Sequence, residues 1–436
     1  LKGVTLEIRD PIHGTLRISK PETKILDSPA FQRLRMIKQL GFSEFSFPGA
    51  THSRYLHSLG VSYLAGVAFD FIFSDFEFSS KSKRENLRQT LRLGALLHDI
   101  GHGPLSHTTE EVMPDLKDLA VKVYDLKKNN NDQRRADHED YTIKFITDSH
   151  LTGLLKESFP DFEPYHVACL IDKKLPDQDD FFKDQGLDFR LILSQLVSSE
   201  VDVDRMDYLL RDAYFCGTSY GKVELNWLLN NFKYHIKNDR MHLALDRRAI
   251  YTFDDFLLSR HHMYLMVYFH HKSIIYEEML FRYLTSDDCE YKLPPDIEEY
   301  VGFTDFSLYQ NMATSKNPWA QRITRRSSFK VLFENHVAIE GSPRTDQVKD
   351  ILKEAGIETI TASSKSRLSK YHGTSMEEET TDIYVVDPYD PNGTPVSIES
   401  CTEIFQKYEG ARTIERVYVS PENIEMARTL LKKLKF

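Results

Sequence analysis

Four places in the chain hold residue types that bind metals or move protons, and the densest is Leu97-His98-Asp99-Ile100-Gly101-His102-Gly103-Pro104. Imidazole is a borderline nitrogen ligand and carboxylate a hard oxygen ligand. His98 beside Asp99 therefore suits Mn, Fe, Zn, Mg or Ni better than a thiolate site would. A buried histidine bonded to a capping aspartate would give the same pair, so its company decides. Upstream, His52-Ser53-Arg54-Tyr55-Leu56-His57 puts Arg54 and His57 on one face of a helix. A metal ligand beside a guanidinium binds both a cation and the phosphate it activates, although an ordinary helix start can look alike. In 202–212, Asp204, Tyr208 and Asp212 fall on one helical stripe, with Met206, Leu209 and Leu210 broadly opposite. A tyrosine inside that stripe marks either a carboxylate-lined cleft or a solvated acidic face. Last, His138 in Arg135-Ala136-Asp137-His138-Glu139 follows a polar loop. It is either a surface histidine or a general acid or base delivered to the site. His57, His98, Asp99 and Asp204 together would hold one divalent ion, leaving positions for water and phosphate.

These residues need elements to carry them. An apolar run through Leu91, Leu93 and Leu97 leads helically into His98, and Gly101 with Gly103-Pro104 ends it. Residues 4–18 read as a hairpin turning at Asp10-Pro11-Ile12-His13-Gly14. From about 22 to 285 the pattern is helical almost throughout. One helix starts at Asp27 or Ser28 and runs through Phe31, Leu34, Ile37 and Leu40, and another spans about 57–73. The polar 127–135 segment reads as a surface loop or unfolded insert, and 172–186 is similar. Beyond about 328, short β-rich runs alternate with helical ones at 344–355, 400–409 and 421–434, with strands at 330–333, 356–361, 382–386 and 416–419. The basic stretch 363–370 reads as a loop, either solvated or in contact with polyphosphate. The expected division is a hairpin at 1–21, a helical body at 22–327 and a small α/β domain at 328–436.

The chain has 436 residues, 41% of them hydrophobic and 28% charged, which is the composition of a soluble multidomain protein with a large core. A net charge of −10 argues against nucleic acid or a membrane surface as the main partner. Cys169, Cys216, Cys289 and Cys401 are scattered, with no zinc spacing or disulfide framework, which points to a reducing, cytoplasmic setting.

The order His…His-Asp…Asp resembles that of the HD-domain phosphohydrolases. The closer likeness is to the deoxynucleoside triphosphate triphosphohydrolases, the branch holding the vertebrate SAM-and-HD-domain enzyme and its bacterial relatives. It is carried by Asp10 to Gly14, Phe31 to Leu40, Phe47-Pro48-Gly49-Ala50, His57 to Val61, His98 to His107 and Val203 to Tyr208. The resemblance implies a mainly α fold, with a helical HD core, a short N-terminal hairpin and a C-terminal α/β regulatory or oligomerisation domain. It implies one divalent metal on His57, His98, Asp99 and Asp204, and Arg54 on the α-phosphate. It places His102, His107 and His138 around the scissile bond, with His138 as proton donor. Glu110, which stands where the vertebrate enzyme has Asp, would orient His138. Gln39, Leu40, Tyr208 and Asp212 would hold the deoxyribose. Arg205 replaces a phosphate-binding lysine, and Arg260, Tyr264 and Tyr268 match a helix that closes on substrate.

A second site is also implied. Asp27, Gln32 and Arg35 match residues that read an activating guanine nucleotide, GTP or dGTP, and Arg326 matches an arginine reaching in from a neighbouring subunit. Helix capping and polar surface are the alternative reading of the first three. The expected activity is hydrolysis of dNTP to deoxynucleoside and inorganic tripolyphosphate by a homo-oligomer, a tetramer or dimer. The rivals are an HD phosphatase or phosphodiesterase on other nucleotides and a nucleotide sensor without turnover.

Overall fold

The computed structural model describes residues 6–126, 133–337, 341–366, 383–390, 393–402, 404 and 412–433. The fold is mainly helical, with a two-stranded hairpin at its start and sheets toward its end. Strands Leu6–Asp10 and Gly14–Ile18 pair antiparallel around the expected turn, where Asp10 Oδ1 accepts the Ile12 and His13 backbone N–H groups at 2.9 and 2.8 Å. The body is built around helix Arg54–Ile72, which is buried on nearly all sides. It is the one described helix long and apolar enough to span a membrane, and its apolar window is 72% buried within the fold. Helix Lys81–Leu97 packs along it and starts at Ser80, whose side chain accepts the Lys83 N–H. Its buried second half ends at His98, so the His-Asp pair sits where the sequence puts it.

Gly101 explains how the helix that carries His138 comes close. A Cβ there would lie 2.1 Å from the His138 carbonyl oxygen and 2.4 Å from the Thr142 nitrogen. Helix His138–Thr147 can approach only because that Cβ is missing. Helix Val203–Cys216 closes the other side, capped by Asp202 and ended by Gly217 at φ +68°.

Three expectations change. The helix expected from Ser28 through Leu40 is one short turn, Pro29–Gln32, continued as a tighter turn over Arg33–Met36 and extended by Ile37. Lys38 then bridges to Ser53, which puts Gln39 on an open wall rather than in a helix. Second, the region read as helical contains a hairpin, Phe232–Lys237 with Arg240–Asp246, turning on Asn238 and Asp239, both left-handed. Third, residues 363–366 of the expected basic loop belong to strand Thr359–Ser366. The remainder of that loop, most of the expected helix at 400–409 and most of the 127–135 segment lie outside the described residues.

The C-terminal region contributes to two sheets. Arg412–Val419 is the centre of an antiparallel sheet flanked by Lys330–Val337 and Thr359–Ser366. Helices Pro343–Glu354 and Ile424–Lys433 pack on it through Val348, Leu352, Ala427 and Leu431. Tyr384–Val386 instead pairs in parallel with Ala244 to Asp246 of the body hairpin.

Candidate active site

The sequence candidates converge on one cleft made of two adjoining cavities. The first, about 370 Å³, is lined by His98, Asp99, His102, His107, His138, Glu139 and Asp204 among others. The second, about 280 Å³, is lined by Leu40, Gly41, Ser43, Ser106, Asp212, Tyr264, Tyr268 and Glu277 among others. Gln39, Arg54, His107 and Tyr208 line both and so mark the junction.

In the first cavity, His57 Nε2 and His98 Nε2 face Asp204 Oδ1 at 3.0 and 3.5 Å. Asp99 lies 3.4 Å from His98 and 3.7 Å from His57. Both Nε2 atoms are buried without a hydrogen-bond partner. The opposite nitrogens are engaged: His57 Nδ1 with Asp207 Oδ2 at 2.8 Å and His98 Nδ1 with the Ala95 carbonyl at 2.8 Å. A proton held on each Nδ1 leaves both Nε2 lone pairs turned inward beside two carboxylates, the tautomer a metal ligand needs. Burial works against charge on His57, but the Asp204 and Asp207 carboxylates outweigh it and push the ring up to about 10. The cluster attracts positive charge, and its N₂O₂ donor set fits a borderline-to-hard divalent cation. Arg54 bonds to Asp99 and, at 2.8 Å, to Ser106 Oγ. Leu105 and Ser106 are both left-handed, at φ +53° and +62°, and the Leu105 N–H is held by buried Asp305 Oδ1 at 2.8 Å.

Beside this cluster the rings of His102 and His138 stack with centroids 3.9 Å apart. Burial, Arg54 and His138 hold His102 well below its ordinary range, so it stays neutral. Burial also disfavours charge on His138, but Glu110 at 2.6 Å overcomes that and raises it. Glu110 Oε1 also accepts from exposed His107 at 2.9 Å. Burial is outweighed there too, and the two imidazoles hold Glu110 down at about 2. The extra methylene of Glu110 does not prevent it from reaching His138. Two neighbouring imidazoles titrating in opposite directions are suited to separate acid and base roles.

In the second cavity Asp212 is fixed on both oxygens: Oδ1 by His52 Nε2 at 2.7 Å and Oδ2 by the Tyr268 hydroxyl at 2.8 Å. Tyr264 and Tyr268 lie on a π turn that extends helix Ile250–Met263, closed by Phe269 N–H to the Tyr264 carbonyl at 2.8 Å. Such a turn rotates the following side chains, and it often marks a functional surface. Gln39 Oε1 is buried without a partner at the junction. Glu277 lines the far wall, and burial beside Glu278 pushes it up to about 7.

Two candidates are not brought into the cleft. Arg205 turns to Asp202 and the Ser199 carbonyl and lines neither cavity. Arg260 is buried and paired with Glu200 at 2.9 Å. Gln32 and Arg35 gather on another face, bonded to each other at 2.8 Å, with the Arg35 guanidinium 3.6 Å over the Tyr55 ring. Asp27 is exposed at the end of the preceding helix. Arg326 sits over the Phe45 ring at 4.7 Å. Sequence reasoning missed His52, Asp207, Ser106 and Glu277. Asp207 lay inside the 202–212 motif, and its i, i+4 spacing to Arg211 was the available signal: the two form a fully buried pair on the flank of the Asp204 stripe.

The HD domain profile matches residues 54–212, which span the whole ligand cluster and Asp212. The profile described as HD associated region matches 228–364. An uncharacterised protein of Methanocaldococcus jannaschii is 30% identical over 75% of this chain and 59% of its own length. A Dictyostelium discoideum protein named deoxynucleoside triphosphate triphosphohydrolase SAMHD1 homolog is 32% identical over 71% of this chain and 55% of its own. The chain thus spans little more than half of these curated relatives. A solved hypothetical protein from Aquifex aeolicus superposes with a TM-score of 0.75 at 25% identity, covering 98% of this chain and all of that one. With an HD domain around the cluster and an HD-associated region behind it, the chain is similar to HD-domain proteins, among them the Dictyostelium relative named as a deoxynucleoside triphosphate triphosphohydrolase homolog.

Proposed function

We propose that the chain is a metal-dependent phosphohydrolase that cleaves dNTPs to deoxynucleoside and inorganic tripolyphosphate. The observation that carries this is the continuous cleft. One end gathers two imidazoles, two carboxylates, Arg54 and an acid–base histidine pair, and the other presents Asp212, Tyr208, Tyr268 and an unpartnered Gln39 amide oxygen. His57, His98, Asp99 and Asp204 would hold the ion. A divalent cation bound there supplies Lewis acidity toward a phosphoryl oxygen and a more acidic water. Arg54 lines both cavities, where its guanidinium stabilises charge on the α-phosphate. Water oxygen bonds to the α-phosphorus as the bond to the 5′-oxygen breaks. His138, held protonated by Glu110, gives its proton to that oxygen, and the proton released from the attacking water restores the His138 imidazolium by way of solvent. Gln39 accepts and Asp212 orients at the sugar 3′-hydroxyl, so both ends of one nucleotide are read. The relatives named as deoxynucleoside triphosphate triphosphohydrolases support the same reading.

The test is product analysis for each dNTP with Mn²⁺, with and without GTP. Deoxynucleoside and tripolyphosphate are expected in equal amounts. Orthophosphate or a nucleoside monophosphate as first product would replace this reading with a phosphatase or phosphodiesterase, and no turnover with any metal would leave a sensor.

A further inference from the structure

Asp207 is fully buried and receives four donors. Its Oδ1 accepts from His13 Nε2 at 2.6 Å and Arg211 Nη2 at 2.9 Å. Its Oδ2 accepts from His57 Nδ1 and Arg211 Nε, both at 2.8 Å. Arg211 extends its third nitrogen to Asp10 Oδ2 at 2.8 Å, and Asp10 Oδ1 is the oxygen that shapes the hairpin turn. The His13 ring also packs against Tyr63, from the same helix as His57, with centroids 5.6 Å apart. Space for the carboxylate is built in: a Cβ on Gly60 would lie 1.9 Å from Asp207 Oδ1. A closed ionic network of this kind is costly to bury, and apolar residues would often fill the space at least as stably. It reaches Asp204, at the cleft wall, through the His57 ring.

We propose that His13, carried in the N-terminal hairpin turn, is a positioning residue of the metal centre, acting through Asp207 on His57. Arg211 grips one edge of the Asp207 carboxylate. His13 supplies the remaining donor to Oδ1, so Oδ2 stays aligned with His57 Nδ1. That alignment keeps the proton on Nδ1 and the Nε2 lone pair facing inward. Without His13 the carboxylate keeps the two-point grip of Arg211 but loses the donor that balances His57, so the alignment of Oδ2 with His57 Nδ1 loosens. The inference rests on the reading of His57 as a ligand, but not on the choice of substrate.

Two substitutions separate positioning from packing. In His13→Gln the amide nitrogen reaches about where Nε2 stood, whereas in His13→Asn it ends near the Nδ1 position and cannot reach Asp207. Free Mn²⁺ is titrated by electron paramagnetic resonance, without nucleotide, against wild type and both variants. We expect His13→Asn to bind Mn²⁺ about tenfold more weakly, and His13→Gln to recover most of the affinity. The KM for nucleotide should be unchanged in both, with the kcat loss in His13→Asn relieved by added Mn²⁺. A merely structural role would lower the metal-free Tm and leave Mn²⁺ affinity alone. Wild-type affinity in His13→Asn, or equal loss in both variants, overturns the proposal. Because binding is read without nucleotide, an enzyme that rejects dNTPs but binds Mn²⁺ in this graded way would sink the substrate reading and keep this one.

Discussion

In the proposed reaction the stacked pair of His102 and His138 would set the pH behaviour of the cleft. As the proposed acid, His138 would act only while protonated, so activity would be lost as pH rises through its pKa. Glu110 raises that pKa. Glu110→Gln therefore moves the alkaline limb of the kcat profile to lower pH, while His138→Ala, which removes the donor, costs about 10²–10⁴-fold at neutral pH. An alkaline limb unmoved in Glu110→Gln would take His138 out of the acid role. Glu277 gives a stability counterpart. Its carboxyl is raised from 4.5 to about 7 by burial. The folded state thus binds more protons than the unfolded between those values, and stability falls as pH rises across that window. Glu277→Gln removes this cost, so at pH 8 the variant should be more stable than wild type by about 1–2 kcal/mol in urea, and near equal at pH 4. The convergence of His57, His98, Asp99 and Asp204 was legible in the chain because these residues sit in short, chemically distinctive runs. His13, His52 and Glu277 were not, because only folding brings them beside Asp207, Asp212 and the cleft wall.

At the scale of elements, the site depends on how closely helix His138–Thr147 lies against the end of helix Lys81–Leu97. The Tyr300 hydroxyl donates to the Gly101 carbonyl at 2.8 Å, and the Gly101 N–H donates to Thr142 Oγ1 at 3.0 Å. Gly101→Ala would push His138 outward while leaving the ligand residues on their own helices. We expect metal content to be kept, kcat to fall at least tenfold, and stability to drop by about 1–3 kcal/mol from overpacking. Loss of metal together with activity would show that the two helix ends move as one. Helix Arg54–Ile72 was readable within three residues at either end from its long apolar run, and the end of Lys81–Leu97 from the apolar run into His98 and the glycines beyond. The hairpin at 232–246 was hidden among helices, although Asn238-Asp239 between β-rich runs is a two-residue turn signal. The parallel pairing of Tyr384–Val386 with that hairpin had no local signal, because the partners are far apart in the chain.

At the scale of the molecule, the remaining polar group is the one formed by Asp27, Gln32 and Arg35 around Tyr55. The Gln32 amide nitrogen donates to the Leu26 carbonyl at 2.7 Å and its oxygen accepts from Arg35, so Gln32 and Arg35 are held in place before any ligand arrives. Tyr55 follows Arg54 on the helix that also carries His57, which gives the trio a short route to the cleft. Asp27 is exposed and offers a carboxylate to paired N–H donors such as those of guanine. Arg326 sits on Phe45 within its own chain, at the junction with the C-terminal strands and in the left-handed region at φ +56°. A second subunit would be needed for an arginine of that kind to reach the trio of another copy. We therefore expect a homo-oligomer whose active form is stabilised by GTP or dGTP bound between subunits, with coupling of about 1–3 kcal/mol, or roughly 5- to 150-fold in activity. Particle mass and dNTP hydrolysis are measured with and without GTP, in wild type, Asp27→Ala and Arg326→Ala. Both variants should lose the response to GTP while keeping the basal rate. A wild type indifferent to GTP, or an Asp27→Ala variant that responds as strongly, removes the activator site and leaves the cleft chemistry standing, since no residue is shared between them.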